Sequence, residues 1–457
     1  MEGLGRLLII NILKHIFSSI FFTKRLYLAL GITVCVFVFA FSFDWLYLVG
    51  LICLWLLIFA TITDLLLLFV NKHGIHIQRT TAHQKLSNGD DNDIYLHVKN
   101  NYSFAATIEI IDELPEQFQF RNFKINKHLL SGDAQKIKYT LRPLSRGEFH
   151  FGNILAFVCS PLGLAKRRFV FEQTHMLPSY PSFLKLRQYE LLAISDRLVD
   201  VGIKKLRKIG HSTEFDHIKE YVIGNDIRTI NWKATARKNQ VMVNHYRDER
   251  SQQVYCLVDM GRIMKMPFEE LSLLDYSINA SLVLSHISYI KHDKPGLITF
   301  SNTIHQTVTA DRKGTQLFRI QEALYNANTN FEESNYEVLL NHVRTKLNQR
   351  SLLLLFTNFE TLSGLRRQLK YIKHLAKHHL VVVVLFENTE LHELLNKQAT
   401  NTSEIYNQTI AKKFDYEKIQ ITYELQKLGI QCVYTKPQQL TVNTINKYLE
   451  LKARGMI

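Results

Sequence analysis

Two long apolar runs near the N-terminus, Leu26 to Phe43 and Trp45 to Val70, decide where the first part of this chain can go. Each is close to the ~20 residues that cross the hydrocarbon of a bilayer. Only Asp44 separates them, so they are expected to form a tight transmembrane hairpin with Asp44, Trp45 and Tyr47 at one interface. Lys14, Lys24 and Arg25 precede the first run, and Lys72 and Arg79 follow the second. The bias of positive charge toward the cytoplasm then places both flanks, and the soluble remainder, on the cytoplasmic face of the cytoplasmic membrane. A cleaved signal peptide fits less well, because the first run starts late, lacks a small-residue cleavage site and meets a second run at once. The apolar stretch Leu7 to Phe22 reads as an interfacial amphipathic helix. Asp64 reads as a helix-hairpin contact or a hydrated residue near the cytoplasmic end.

The chain has 457 residues, enough for two or three domains, and 46% of them are hydrophobic. An excess of 56 Lys and Arg over 41 Asp and Glu gives a net charge of +15. Such a charge attracts nucleic acid, anionic lipid or an acidic protein. Beside a membrane anchor the lipid reading is the economical one, and nucleic acid is not an expected partner. Five scattered cysteines supply neither a disulfide framework nor metal-ligand spacing, which fits a reducing compartment.

After the anchor (1–73), residues 74–182 alternate with period two, as in Ile94, Leu96 and Val98, Ile108 and Ile110, and Ile137, Tyr139 and Leu141. Turn residues such as Asn88-Gly89-Asp90 and Ser160-Pro161 separate the runs, so an all-β immunoglobulin-like sandwich is expected. A connector follows (183–250), basic at Lys204, Lys205, Arg207 and Lys208. From 251 to 457, apolar strands (Val254–Val258, Leu297–Phe300, Leu352–Phe356, Leu380–Phe386, Ile430–Tyr434) alternate with amphipathic stripes. This pattern predicts a doubly wound α/β sheet, with a helical insertion at 387–428. Ser334 and Glu337 read as a capping box.

The densest chemistry lies between Glu214 and Asp259. Asp226 is placed to cap a helix start, and Arg228, Asn231, Trp232, Lys233 and Arg237 crowd the next turns with hydrogen-bonding groups. From composition alone, Trp232 reads as a buried indole pinned through its N–H. The ordered set Glu214, Phe215, Tyr221, Gly224, Asp226, Arg228, Ile230, Asn231, Trp232, Lys233, Ala234, Ala236, Arg237, Glu249 and Asp259 resembles the signature of the domain-of-unknown-function 58 family. That family usually has Asp where Asn225 stands. Asp-Glu-Leu-Pro at 112–115, Arg146-Gly147 and Ser-Pro-Leu-Gly-Leu at 160–164 add to the likeness.

The resemblance implies a membrane-anchored protein with a von Willebrand A-like domain, working with a MoxR-type AAA+ ATPase and other membrane-complex subunits. In von Willebrand A domains an Asp-x-Ser-x-Ser loop, a Thr and often a further Asp hold a divalent cation. The positional equivalents here are Asp259, Thr315 and Asn358, but Gly261 and Ile263 replace the serines. So few fixed oxygens suit Mg²⁺ poorly, and Asp259 is expected instead to pair with Arg228 or Arg237 while Thr315 caps its helix. His374, His378 and His379 read as a solvated basic face, not a zinc site.

With no phosphate loop and no nucleophile elbow in the sequence, the expected function is a non-enzymatic scaffold. It would couple the ATPase to assembly of, or metal insertion into, a membrane or periplasmic complex, with Glu214, Tyr221, Gly224, Asp226, Arg228, Asn231, Trp232, Lys233, Arg237 and Glu249 as interaction residues. The alternatives are a divalent-cation-dependent ligand binder using Asp259 and Thr315, and an enzyme with Asp226 or Glu214 as acid/base and Arg228 as anion clamp.

Overall fold

The computed structural model describes residues 17–184, 186, 214–223, 225–247, 251–268, 270–396 and 401–457. They fall into two compact units, Met1–Ser179 and Tyr180–Ile457.

In the first unit a short strand, β1 (Ile20–Phe22), leads into helices α1 (Lys24–Ala40) and α2 (Asp44–Val70). The helices run side by side, with Phe37 edge-on to Tyr47 at 6.1 Å. Their flanks expose Leu28, Ile32, Val38, Trp55, Phe59 and Leu66, a surface suited to lipid and not to water. Among the described residues, α2 alone is long and apolar enough to cross a membrane by itself. The first expected span is therefore shorter than the apolar run: α1 has 17 residues and stops at Ala40, where Phe41 to Phe43 turn the chain. The interfacial helix expected up to Phe22 also gives way, since Ile20–Phe22 pairs as a strand; its beginning lies outside the described residues.

Ten further strands follow: β2 (Ile75–Thr81), β3 (Leu86–Ser87), β4 (Asn92–Asn100), β5 (Ala106–Asp112), β6 (Ile125–Leu129), β7 (Ala134–Leu141), β8 (Gly147–Phe151), β9 (Ile154–Cys159), β10 (Ala165–Phe171) and β11 (His175–Tyr180). They form sheets ordered β1-β10-β9-β5-β6, β2-β4-β7 and β3-β11-β8. Alternation does what period two requires, as Ile94, Leu96 and Val98 of β4 and Ile108 and Ile110 of β5 point inward. An internal ion pair closes part of the interior: Arg79 binds Asp112 at 2.6 Å, and Tyr139 donates to the same carboxylate at 2.5 Å. This accounts for the Asp of Asp-Glu-Leu-Pro.

The turn Ser160 to Ala165 grips both helices of the pair. Asp64 is fully buried, and its carboxylate accepts from the Leu164 and Ala165 amides, each at 2.8 Å, and from the Ser160 hydroxyl. Thr23, at the foot of α1, donates to the Gly163 carbonyl at 2.7 Å. Arg167 caps the open carbonyls at the end of α2, donating to Leu68 at 2.6 Å and Asn71 at 2.8 Å, and stacks on Phe69. Leu68 belongs to the sandwich core itself. Asp64 is thus a helix-to-sandwich contact, neither hydrated nor a contact within the hairpin.

In the second unit β12 (Glu214–Glu220) and β13 (Met242–Arg247) make a two-stranded arm with α3 (Trp232–Lys238) in its loop. The main sheet comprises β14 (Gln253–Asp259), β17 (Lys294–Phe300), β18 (Ile304–Val308), β19 (Leu352–Phe356), β20 (Leu380–Phe386) and β21 (Gln431–Thr435). A small ribbon, β15 (Pro267–Phe268) with β16 (Leu271–Ser272), follows β14. The strand order is β18-β17-β14-β19-β20-β21, parallel except for β18. Helices are α4 (Leu273–Ile290), α5 (Gln316–Tyr325), α6 (Tyr336–Lys346), α7 (Leu362–His378), α8 (Thr389–Asn396), α9 (Thr402–Lys427) and α10 (Leu440–Ala453).

Both faces of the sheet are covered, so its strands are apolar throughout. Val254, Cys256 and Val258 face Ile278, Leu282 and Tyr448 of α4 and α10. Tyr255 and Leu257 face Leu339, Leu365 and Ile421 of α6, α7 and α9. The edge strand β18 escaped the sequence pattern because its residues, IHQTV, are mostly polar and only half-buried. The capping box is also misplaced in the sequence reading: Asn335 caps α6, accepting from the Glu337 and Val338 amides, which frees Ser334 for other work. Among the described residues a true capping box stands at Ser272 and Asp275.

Replacing Asp64 with Ala leaves a buried amide, a half-buried amide and a buried hydroxyl without their acceptor, at a cost of about 2–3 kcal/mol. Hydrogen exchange of the full-length protein in lipid nanodiscs is expected to show lost protection at the Leu164 and Ala165 amides, with a smaller loss for Asp64→Asn.

Candidate functional site

In an open α/β sheet, ligands gather beyond the C-terminal strand ends where the strand order reverses, here between β14 and β19. Asp259 ends β14 at this place and is fully buried. Its carboxylate is saturated by four donors. Oδ1 accepts from Ser334 Oγ at 2.5 Å and from the Gly261 amide at 2.9 Å. Oδ2 accepts from Thr357 Oγ1 at 2.7 Å and from Tyr336 OH at 3.1 Å. Burial raises its pKa against the pull of these donors. The expected pairing of Asp259 with Arg228 or Arg237 is not what forms, because hydroxyls of the neighbouring loops already occupy both oxygens.

Thr315 is not part of this cluster. β18 runs back along β17, so the segment after it lies at the opposite, N-terminal end of the parallel strands. There Gln316, the next residue, donates to the Pro295 and Thr309 carbonyls at 2.8 and 2.7 Å, and Thr315 makes no side-chain cap. The hydroxyl that replaces the missing serine comes from Ser334. A Cβ on Gly261 would collide with Ser334 Oγ and come within 3.0 Å of the Glu332 carbonyl, so the glycine makes room for a hydroxyl arriving from another loop.

Asn358, at the third position, accepts from Lys418 Nζ at 2.6 Å, and the same ammonium donates to the Phe359 carbonyl at 2.6 Å. The loop after β19 therefore already holds a cation belonging to the chain. A carboxylate with four donors, beside a loop filled by an ammonium, does not fit Mg²⁺, which needs several free oxygens. Burial pushes the Lys418 pKa down to about 8. Of the candidate histidines, His379 is not solvated: it is buried, and its Nδ1 accepts from the Ser351 amide at 3.3 Å.

The signature residues form the arm. Gly224 and Glu249 lie outside the described residues, and Glu214 pairs along the backbone with Arg247. Asp226 accepts from the Arg228 amide at 2.9 Å, capping a single 3-10 turn (Ile227–Thr229) in place of the expected longer helix. Asn231 holds the loop together. Its Oδ1 caps α3 at the Ala234 amide (3.0 Å), its Nδ2 donates to Asn244 on β13 (2.8 Å), and its amide donates to the Met242 carbonyl (2.8 Å). Tyr221 is tied back through its amide to the Val241 carbonyl.

What this staple supports is an exposed surface. Trp232 is 71% exposed and Ile223 97%, with Val222 and Ile227 also in solvent. Trp232 is thus not the buried, pinned indole that composition suggested. Arg228, Lys233 and Arg237 are exposed beside it in sequence, and no salt bridge engages them among the described residues.

The arm begins where a family model begins to match: residues 217–401 match the description "Protein of unknown function DUF58". YeaD of Bacillus subtilis (strain 168), described as uncharacterized, is 27% identical over 154 residues. That match covers 33% of this chain, and the chain spans only 36% of the relative. Solved structures similar to parts of the chain include BatB from Bacteroides thetaiotaomicron, with 13% identity over 44% of this chain and 99% of that one, at a TM-score of 0.31. A von Willebrand factor type A protein from Catenulispora acidiphila aligns with 10% identity over 47% of this chain and 44% of that one, at a TM-score of 0.26. The DUF58 region thus takes in the apolar and basic loop of the arm, Asp259 and the first five strands of the main sheet.

Two outcomes follow. Gly261→Ala is expected to destabilise the α/β unit by about 1–3 kcal/mol through overpacking, with partial recovery in the Gly261→Ala/Ser334→Ala pair, as read by chemical unfolding. Since the folded-state pKa of Lys418 lies below that of an unfolded lysine, the folded chain binds fewer protons between the two values, and stability rises with pH from about 8 toward ~10. The difference in unfolding free energy between wild type and Lys418→Met is therefore expected to shift in favour of the wild type across that window.

Proposed function

We propose that this chain is a non-catalytic, membrane-tethered scaffold whose DUF58 arm docks a MoxR-type AAA+ ATPase and couples ATP-driven work to assembly of, or metal insertion into, a membrane or periplasmic complex. The observation that carries the docking step is the solvent exposure of Val222, Ile223, Ile227 and Trp232 together with Arg228, Lys233 and Arg237 on a loop braced by Asn231. Large apolar groups held in water mark interaction surfaces, and Trp and Arg are the residue types that most often dominate binding energy.

The tether reading draws on α2 and on the shared turn that grips both Thr23 and Asp64. A helix pair that leaves and returns to one turn crosses the bilayer twice or not at all. With Lys24, Arg25 and Lys72 at its foot, the soluble part then faces the cytoplasm. The cation-dependent reading loses support because the donor set around Asp259 does not fit a hard metal. The enzymatic reading loses support because Asp226 and Arg228 stand exposed at a turn, where water screens any charge they could bring to a reaction.

Full-length protein pulled down in gentle detergent, with and without ATP, is expected to retain an AAA+ ATPase in a nucleotide-dependent manner. Arg228→Ala and Trp232→Ala should each weaken that capture by about 30-fold if they are hot spots. Normal folding with undiminished capture would remove the arm from the interface. A cysteine placed at exposed Leu130 should resist a membrane-impermeant maleimide in intact cells, above the wild-type background, and react after lysis.

A further inference from the structure

A cavity of about 240 Å³ opens beyond the C-terminal ends of β19 and β20, one strand over from Asp259. Its walls are Met266 and Phe268 from the ribbon after β14, Leu273, Phe386 at the end of β20, Leu391, and Phe414 from α9. The space falls below the ~300–1,000 Å³ of sites for drug-sized ligands, which suits one or two side chains better than a cofactor.

Polar groups are confined to part of the lining. Lys418 contributes an ammonium, but two of its three donors are committed to Asn358 and Phe359. Glu360, Glu387 and Glu390 contribute carboxylates, and Glu360 and Glu390 are exposed, so they stand where the cavity meets water. An anionic ligand would have to pass three carboxylates to reach one ammonium already in use, whereas a cation meets complementary charge at the entrance.

We propose that this cavity receives a short segment of a partner protein in which an apolar residue adjoins Lys or Arg, the apolar side chain entering between Phe268, Phe386 and Phe414 and the cation resting on Glu360, Glu387 and Glu390. The site is separate from the signature arm and owes nothing to ATPase docking. Failure of the pull-down would leave it standing.

The test uses the full-length protein in lipid nanodiscs, which avoids detergent entering the cavity, titrated by saturation-transfer NMR with three blocked dipeptides: acetyl-Leu-Lys-amide, acetyl-Leu-Gln-amide and acetyl-Leu-Glu-amide. Affinity is expected to fall in that order. Glu360→Gln and Glu390→Gln, both at exposed positions that leave the fold alone, should each weaken the Lys dipeptide by about threefold without changing the Gln dipeptide. Met266→Trp, filling the cavity from a half-buried wall, should abolish binding of all three. Equal or tighter binding of the Glu dipeptide, indifference of the Lys dipeptide to both glutamine variants, or no saturable binding at millimolar concentration would each overturn the proposal.

Discussion

The first unit depends on one buried carboxylate. Asp64 is buried in an otherwise apolar helix, where a carboxylate without hydrogen-bond partners is costly. Two backbone amides and a hydroxyl from the turn 160–165 supply those partners. This contact also divides α2 by function. In its final stretch Leu65, Leu68 and Phe69 pack into the sandwich core, whereas from Asp44 to Thr63 only Gly50 is buried. With Thr23 bound to the same turn and Arg167 closing the helix end, the anchor and sandwich share a core and have no hinge between them.

The α/β unit shows a comparable substitution of parts. At the strand-order reversal this chain gathers Ser334, Thr357 and Tyr336 around Asp259 and seats Lys418 on Asn358. Hydroxyl donors satisfy the carboxylate, and an ammonium fills the adjoining loop. The loops remain braced, and the crevice next to them is lined by aromatic rings and by carboxylates of the opposite sign.

Much of this architecture is legible in the sequence because it follows from periodicity. The parallel strands are continuous apolar runs, the helices carry three-to-four stripes, and the sandwich alternates; four of the five expected strands of the main sheet lie within a residue of expectation, and β17 starts three residues early at Lys294. What escaped is what depends on contacts between distant residues. Ser334 looks like a helix cap because a hydroxyl followed by Glu three residues later usually is one; Asn335 took that role because its own side chain reaches the free amides. Thr315 looked like a ligand because no local signal reveals that β18 turns back and carries it to the other end of the sheet. Lys418 lay in a helix with mixed charges and carried no local mark of burial. The Ser-Pro-Leu-Gly-Leu motif was readable as a turn, and only the fold reveals that the turn exists to hold Asp64.

The turn at 160–165 also imposes an order of events. The helices leave the ribosome long before the residues that grip them, so Asp64 is made without a partner and β1 without a neighbouring strand. Water has to shelter that carboxylate until β9 and β10 have been made. Synthesis therefore passes through a stage in which the helices exist but their base is unformed, and completion of the sandwich is what fixes them in place.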